Sequence, residues 1–159
     1  MTANELKDLI VLETYGLLDE DSEYVPYINN AIELLGFFLA SMGDPEMIAM
    51  RDIDDGDEVP EDFINFLPAN GYPINILAGK FKIINGDSSC TDVKYTVSKP
   101  RIKTLEDTIP YKDMYTGCLQ MIASYLVKKH SYITPAYCQQ DNEFVKELMT
   151  AIKGAKGVA

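Results

Sequence analysis

Residues 111–130 read YKDMYTGCLQMIASYLVKKH and form the longest apolar stretch of helical spacing in the chain. The apolar side chains recur every three or four residues, which places them on one face of an α-helix. Met121, Ala123 and Val127 widen this face, so we expect the helix to be covered on more than one side. The stretch therefore predicts the core helix of the fold.

The flanking residues predict where this helix begins and ends. Pro110 suits the first turn, because its missing N–H group has no intrahelical partner there. Thr108 or Asp107 is a suitable N-cap, and the basic residues 128–130 favour the C-terminal end, where the helix dipole is negative. We therefore expect one helix over about residues 111–130.

Three more helices are predicted from apolar spacing and capping residues. Thr2 and Glu5 have the spacing of a capping box, which begins a first helix over roughly residues 3–15. A second helix is expected over about residues 23–42 and a fourth over residues 136–153, each with one apolar face.

The sequence between the second and third helices has the alternation of β-strands. Residues 72–77 are expected to form an edge strand, and residues 80–84 and 93–97 alternate polar and apolar side chains. Asn85 and Gly86 mark a turn between the last two, so these are predicted to form a β-hairpin. A single hairpin is marginally stable, so it should pack on the helices or pair with a neighbouring subunit.

Together these elements predict a mainly α fold, a four-helix-type bundle with an inserted β-hairpin between the second and third long helices. A chain of 159 residues is long enough to bury one core without disulfides or metals. We expect a single helical domain over residues 1–153, with the β-insertion at about 72–100. Residues 154–159 are small and are expected to form a flexible tail.

The composition predicts a folded, cytoplasmic chain. Hydrophobic residues make up 47% of it, which argues against disorder. We expect neither a membrane-spanning helix, which needs about 18 consecutive apolar residues, nor a signal peptide. Cys90, Cys118 and Cys138 are odd in number and far apart, as is typical of free thiols in a reducing compartment.

The net charge of −11 is distributed unevenly along the sequence. Residues 1–70 hold 17 acidic and two basic side chains, whereas residues 71–159 hold eight acidic and 12 basic ones. If the two halves form opposite surfaces, this favours head-to-tail association of identical subunits. The alternative interpretation is that the charges lie on solvated faces that keep the protein in solution.

An acidic segment, residues 51–62, reads RDIDDGDEVPED. A calcium loop of the EF-hand type needs acidic residues at positions 1, 3 and 5 and glycine at position 6. With Asp52 at position 1, Gly56 falls at position 5, and the flanking sequence does not predict a helix pair. We therefore interpret the segment as a solvated surface loop and predict no metal site.

The residues that perform most enzymatic chemistry are scarce. His130 is the single histidine and lies at a predicted helix end, and Cys118 lies on an apolar helix face. Gly154 and Gly157 are not part of a phosphate-binding loop, because no strand precedes them and no Gly-Lys-Ser/Thr follows. We predict that the protein is not an enzyme and uses no cofactor.

Three short motifs occur in a characteristic order. Asn29-Asn30-Ala31 lies in the second helix, Pro60-Glu61-Asp62-Phe63 follows the acidic residues, and Tyr95–Pro100 reads YTVSKP before the proline-led core helix. Head–tail connector proteins of tailed bacteriophages, also called adaptor or head completion proteins, typically have an Asn-x-Ala patch, a Pro-x-Asp-Phe turn and a Tyr-x-x-x-x-Pro segment. Over about residues 3–150 this sequence resembles that family, although residues 51–58 have no place in its common pattern.

The resemblance implies a structural virion protein at the head–tail interface, assembled in the bacterial cytoplasm. It implies a homo-oligomeric ring, usually twelve-fold, below the portal protein. Such a ring joins the capsid to the tail or to a second connector ring and continues the DNA channel. DNA passes through without sequence-specific binding, and neither a membrane nor a cofactor takes part.

Three sets of residues are candidates for contacts in such a ring. The tail is expected to dock on the portal or a neighbouring subunit through Ile152, Lys153, Lys156 and Val158. The acidic segment is expected to face the channel with Asp52, Asp54, Asp55, Asp57 and Glu58, where repulsion from phosphates lets DNA slide. The hairpin is expected to contact a neighbouring subunit through Phe81, Ile83, Val93 and Tyr95.

The acidic half also fits a protein of another class. A small inhibitor that mimics DNA uses such a surface to occupy the basic site of a host nucleic-acid-binding protein. This alternative predicts salt-sensitive binding to a nuclease or repressor, whereas a connector predicts a high-order ring in purified virions.

Overall fold

The structure is a computed structural model that describes the backbone of residues 1–131 and 136–157 and the side chains of residues 1–131 and 141–157. Four helices are α1 (Ala3–Thr14), α2 (Tyr24–Ser41), α3 (Thr116–Ser131) and α4 (Ala136–Ala155). Five strands lie between α2 and α3: β1 (Ile48–Asp54), β2 (Phe63–Phe66), β3 (Ile74–Leu77), β4 (Lys80–Ile83) and β5 (Ser89–Val97). The predicted mainly α fold, with four helices and a β-insertion between the second and third long helices, is confirmed, and with its antiparallel sheets the fold is α+β and mainly helical.

The chain divides into two compact units. The helical unit comprises Met1–Leu35 and Arg101–Ala159, and the β unit comprises Gly36–Pro100. The boundary falls within α2, so the first part of this helix belongs to the helical unit and its last turns belong to the β unit.

The N-terminus of α1 is fixed by its own cap and by a distant segment. The predicted capping box is present: Thr2 Oγ1 accepts from the Glu5 N–H at 3.2 Å, and the Thr2 N–H donates to the Glu5 carboxylate at 2.8 Å. The Ala3 N–H also donates to the Asp107 carbonyl oxygen at 2.8 Å. Leu6 and Ile10 are buried, so α1 contributes to the core of the helical unit.

The third long helix begins later than predicted. A 3-10 turn at Asp113–Tyr115 precedes α3, and Tyr111 is buried outside the helix with its hydroxyl donating to the Ile32 carbonyl at 2.7 Å. Asp107 caps no helix, because its carboxylate accepts the N–H groups of Lys103 and Thr104 at 2.7 and 3.0 Å. These two bonds to the charged form lower the pKa of the Asp107 carboxyl below its usual value.

The last helix extends to Ala155, two residues beyond the predicted end. Phe144 in α4 stacks on Tyr125 in α3, with ring centroids 3.9 Å apart and an interplanar angle of 7°. Leu148 and Ile152 are fully buried on the apolar face of α4. The predicted flexible tail is therefore wrong at its start, because residues 154 and 155 are helical.

The β unit contains two antiparallel sheets. In the larger sheet β5 lies between β1 and β2, and in the smaller one β3 pairs with β4. The core of the unit contains buried residues from four of the strands: Ile53, Ile74, Phe81, Ile83 and Val93. Rings of Phe63, Phe66, Tyr72 and Tyr95 pack on or beside these residues.

The predicted hairpin between residues 80–84 and 93–97 is wrong in its pairing. β4 instead forms a hairpin with β3 through the two-residue turn Ala78-Gly79, and β5 pairs with β1 and β2. Both turn residues have positive φ, 52° and 74°, as in a type I′ turn, whose twist matches that of the flanking strands.

The turn between β3 and β4 can be stabilised at Ala78. Left-handed backbone costs an alanine about 1–2 kcal/mol, whereas asparagine tolerates it better. We expect Ala78→Asn to raise the free energy of unfolding by about 0.5–1 kcal/mol, measured by denaturant titration. Gly79→Ala is the opposing control, and we expect it to lower the free energy of unfolding by about 1 kcal/mol. No atom lies within 4 Å of the added Cβ, so this loss comes from the strained backbone alone. Equal stability of both variants would contradict the type I′ assignment.

Candidate functional site

The first motif of the connector resemblance contacts the chain where it re-enters the helical unit. Asn29 in α2 binds Ile102 twice: its Nδ2 donates to the Ile102 carbonyl at 2.9 Å, and its Oδ1 accepts the Ile102 N–H at 2.8 Å. Ile102 itself is buried, as is Ala31 in the same motif. Asn29 therefore satisfies both backbone groups of a residue that lies two positions after the YTVSKP segment.

The second and third motifs contact each other within the β unit. The Phe63 N–H donates to the Pro60 carbonyl at 3.1 Å, which closes the Pro-x-Asp-Phe turn. The Asp62 carbonyl accepts the Ser98 N–H at 2.8 Å, and the rings of Phe63 and Tyr95 lie 5.4 Å apart. The turn is therefore bonded to the YTVSKP segment, although 35 residues separate Phe63 from Ser98 in the sequence.

The paired bonds of Asn29 allow a matched test of this contact. Asn29→Ala leaves two backbone groups of a buried residue without their partners, so we expect a loss of about 2–3 kcal/mol in unfolding free energy. Asn30→Ala makes the same change in helix propensity at the next, exposed position of α2 and should alter stability by less than about 0.5 kcal/mol. Thermal and urea unfolding measure both, and similar losses in the two variants would exclude a special role for Asn29.

The acidic segment borders β4 on the side opposite β3. The Gly56 N–H donates to the Phe81 carbonyl and the Phe81 N–H donates to the Asp57 carbonyl, each at 2.8 Å. The Val59 N–H donates to the Gly79 carbonyl at 3.0 Å. The connection between β1 and β2 therefore covers an edge of the smaller sheet with backbone hydrogen bonds, which the interpretation as a solvated loop did not predict.

Several acidic side chains in this segment accept backbone N–H groups. Asp55 Oδ1 accepts from Ile83 at 2.8 Å, and Asp52 Oδ1 accepts from Asp92 at 3.0 Å. Asp57 Oδ2 accepts from the Asp54 N–H at 2.9 Å and from Arg51 Nη2 at 3.4 Å. These carboxylates fix the local backbone, since a hydrogen bond to a charged group is worth about 1.5–3 kcal/mol.

The five acidic residues proposed to face a channel differ in exposure. Asp52, Asp54, Asp55 and Glu58 are exposed, whereas Asp57 is half-buried. Within the described part of the chain, no group of three or more metal-ligating side chains is close enough to hold an ion. Which of the five face a DNA channel stays a prediction.

Asp55 and Asp54 provide a matched pair of acidic variants. Asp55→Ala removes the acceptor of the Ile83 N–H in the core of the β unit, so we expect a loss of about 1–2 kcal/mol in unfolding free energy. The exposed Asp54 carboxylate accepts no hydrogen bond from the described residues, so Asp54→Ala should change stability by less than about 0.5 kcal/mol. Urea unfolding compares them at equal net charge, and a larger loss in Asp54→Ala would overturn this assignment.

The residues proposed for an inter-subunit hairpin lie inside the β unit. Phe81, Ile83, Val93 and Tyr95 are between 0% and 6% exposed. They alternate toward the core as predicted, but they belong to two different sheets. Their side chains therefore build the interior, and a contact with a neighbouring subunit requires other residues of these strands.

The residues proposed for a docking tail are divided between the helix and its end. Ile152 is fully buried in α4 and Lys153 is exposed, whereas the Lys156 N–H donates to the Ile152 carbonyl at 3.0 Å. Val158 lies outside the described residues. Ile152 is therefore a core residue, so a deletion from residue 151 onward would remove part of the fold as well as the tail.

The charge asymmetry along the sequence is not an asymmetry between the units. The helical unit holds 14 acidic and nine basic side chains, and the β unit holds 11 acidic and five basic ones. Residues 1–35 pack with residues 101–159, so basic side chains of the second half neutralise acidic ones of the first, as in the 2.8 Å pair of Arg101 with Glu33. The condition for head-to-tail attraction, acidic and basic halves on opposite surfaces, is therefore not met by the two units.

A polar cluster that the sequence analysis missed joins α3 to α4. Lys129 Nζ donates to both oxygens of Asp141, at 3.0 and 2.8 Å, and the Tyr125 hydroxyl donates to the same carboxylate. Lys129 and then Tyr125 lower the pKa of the Asp141 carboxyl. The pair is about 40% exposed, so solvent screening leaves it only a small contribution to stability. Its residues lie 12 and 16 positions apart in the sequence, a separation that no local pattern indicates.

The scarce reactive residues occupy structural positions. His130 is exposed and its ring lies edge-on to Tyr27, with centroids 6.0 Å apart. Cys118 is buried, which raises the pKa of its thiol and disfavours the reactive thiolate. Cys90 is half-buried and free, and the Cys138 side chain lies outside those described.

Comparison with models of known protein families finds no match, and comparison with curated proteins finds no significant one. Within residues 1–131 and 136–157, no helix is both long enough and apolar enough to cross a membrane.

Proposed function

We propose that this protein is a structural virion protein of a tailed bacteriophage. It forms a ring below the portal, joins the capsid to the tail and continues the DNA channel. The observation that carries the proposal is the bonding of its three connector-like motifs, Asn29 to Ile102 and the Pro60–Phe63 turn to Ser98. Each of these contacts joins two segments that are far apart in the sequence. The fold therefore gives a physical reason for the order in which the motifs occur.

The roles of the polar side chains are consistent with a scaffold for assembly. Several of its titratable side chains bind backbone N–H groups or form ion pairs, as Asp55, Asp107 and Lys129 do. A protein that acts by holding neighbours in register requires packing and a shaped surface, and it binds no cofactor in this proposal. Its partners are further copies of itself in a ring, the portal protein, and the tail or a second connector ring.

Acidic surface is suited to a channel that DNA must leave freely. Asp52, Asp54 and Asp55 are exposed on a connection that is fixed by hydrogen bonds to β4. Fixed carboxylates repel phosphates at short range, and they give DNA no basic contact on which to stay bound. We place this segment at the lumen of the proposed ring.

One observation favours a second candidate function. Both units are net acidic, so the negative charge is distributed over the molecule as well as concentrated in residues 51–62. A small DNA-mimic inhibitor that occupies a basic site of a host nuclease or repressor requires such a surface.

Quantitative mass spectrometry of purified phage particles tests the proposal. A connector ring is expected in every particle at about one copy per portal subunit, because stacked rings of equal symmetry match their subunits. The portal and the major capsid protein, measured in the same digest, serve as internal references. Absence from particles, together with salt-sensitive binding to a host nucleic-acid-binding protein, would contradict the connector and support the inhibitor.

A further inference from the structure

The sequence contains three places where glycine directly follows an asparagine or an aspartate: Asp55-Gly56, Asn70-Gly71 and Asn85-Gly86. In such a pair the glycine nitrogen can attack the side-chain carbonyl carbon of the residue before it, because glycine has no Cβ to hinder a close approach. Asparagine is the thermolabile residue in such pairs, since its neutral amide accepts a nucleophile more readily than an ionised carboxylate does. The fold then decides which pair can react.

In two of the pairs the glycine nitrogen is held by a backbone hydrogen bond. The Gly56 N–H donates to the Phe81 carbonyl at 2.8 Å, and the Gly71 N–H donates to the Pro68 carbonyl at 3.0 Å. A nitrogen that donates its proton within the fold must break this bond before it can lose the proton and attack. Both pairs are therefore protected in the folded protein.

The third pair lies in the turn that follows β4. Asn85 and Gly86 are both exposed to solvent, and no described residue accepts the Gly86 N–H. Gly86 has a φ of 86°, a backbone conformation that glycine adopts without strain. The Gly86 nitrogen is therefore open to water, and no hydrogen bond within the described chain holds its proton.

The Asn85 side chain is folded back over the same turn. Its Oδ1 accepts the Asp87 N–H at 3.0 Å, which forms an Asx turn, and its Nδ2 donates to the Asp87 carboxylate at 3.0 Å. The first bond polarises the carbonyl that is attacked and stabilises the negative oxygen that the attack produces. The turn therefore holds an activated amide next to the unprotected nitrogen of Gly86.

We propose that Asn85 is a site of self-modification, at which the chain deamidates to aspartate and isoaspartate. The Gly86 nitrogen gives its proton to hydroxide and forms a bond to Cγ of Asn85. The bond between Cγ and Nδ2 breaks, and Nδ2 leaves as ammonia with a proton from water, so a succinimide ring remains. Water then opens the ring at Cγ to give aspartate, or at the main-chain carbonyl carbon to give isoaspartate.

The modification changes both the charge and the length of this turn. Each conversion makes the chain one unit more negative than its net charge of −11, and the isoaspartate form adds one carbon to the main chain. The ends of the turn are fixed, because the Ile84 N–H donates to the Pro73 carbonyl and the Ser88 carbonyl accepts the Asp55 N–H, each at 2.9 Å. Neither bond involves Asn85, so we expect the fold to persist with a more acidic turn.

Deamidation at Asn85 goes beyond the proposed connector function and does not rest on it. The reaction requires only this turn and water, so it proceeds in the free chain whether that chain later enters a ring or binds a host protein. A stable Asn85 would leave the connector proposal intact, and absence from phage particles would leave this one intact.

Peptide mass spectrometry of the folded chain, aged in a mildly alkaline buffer, tests the proposal. Trypsin separates the two Asn-Gly pairs, since Asn85 lies in the peptide of residues 83–94 and Asn70 in that of residues 52–80. We expect conversion of amide to carboxyl to be at least about tenfold faster at Asn85, because the backbone bond of Gly71 slows the reaction at Asn70. Ageing in heavy-oxygen water labels this product and distinguishes it from conversion during digestion.

The unfolded chain is the matched control for protection by the fold. In guanidinium chloride the backbone bond of Gly71 is lost, so we expect the two asparagines to react at rates within about threefold of each other. Asn85→Gln should give none of the labelled product in its peptide, because the longer side chain would have to form a larger ring.

Two results would overturn the proposal. One is equal conversion of Asn85 and Asn70 in the folded chain, and the other is the absence of labelled aspartate and isoaspartate at Asn85. An undiminished preference for Asn85 in guanidinium chloride would overturn the assignment of that preference to the fold.

Discussion

The double hydrogen bond between Asn29 and Ile102 holds the chain against α2 at the point where it re-enters the helical unit. The chain leaves this unit within α2 and returns at Arg101, so 65 residues are inserted between two parts of the helical unit. The Asn29 amide satisfies both backbone groups of the second residue after that return. Close by, Arg101 pairs with Glu33 and the Tyr111 hydroxyl bonds to the Ile32 carbonyl. The returning segment is therefore held along α2 before α3 begins.

Helices were predictable here because their signals are local. The capping box of α1 and the apolar faces of α2 and α4 each need only a few neighbouring residues, and their bounds agree to within about two residues. The start of α3 was not, because the Tyr111 hydroxyl bonds to the Ile32 carbonyl far away in the sequence, and the Asp107 carboxylate binds the N–H groups of Lys103 and Thr104 instead of capping a helix. The β3–β4 hairpin escaped detection because alanine occupies the first position of its turn, where asparagine is the usual signal.

For the candidate residues too, local signals were visible in the sequence and long-range contacts were not. Asn29 and the Pro60–Phe63 turn were identified as motifs, and the structure adds their partners, Ile102 and Ser98. The acidic segment was identified by composition, but composition does not specify that Asp55 bonds to a strand 28 residues away. Ile152 was predicted both within the fourth helix and in the docking tail, and its burial in α4 makes it a core residue. Sequence thus located these residues, whereas their roles depend on long-range pairing.

The two edges of the smaller sheet differ: an acidic connection borders β4, whereas the outer edge of β3 is uncharged. Residues 55–59 occupy the β4 edge with backbone bonds and surround it with carboxylates, so a further strand meets both steric and electrostatic resistance there. β3 carries neither protection, although it is short. The covered edge therefore restricts the addition of a further strand to the β3 side of this sheet.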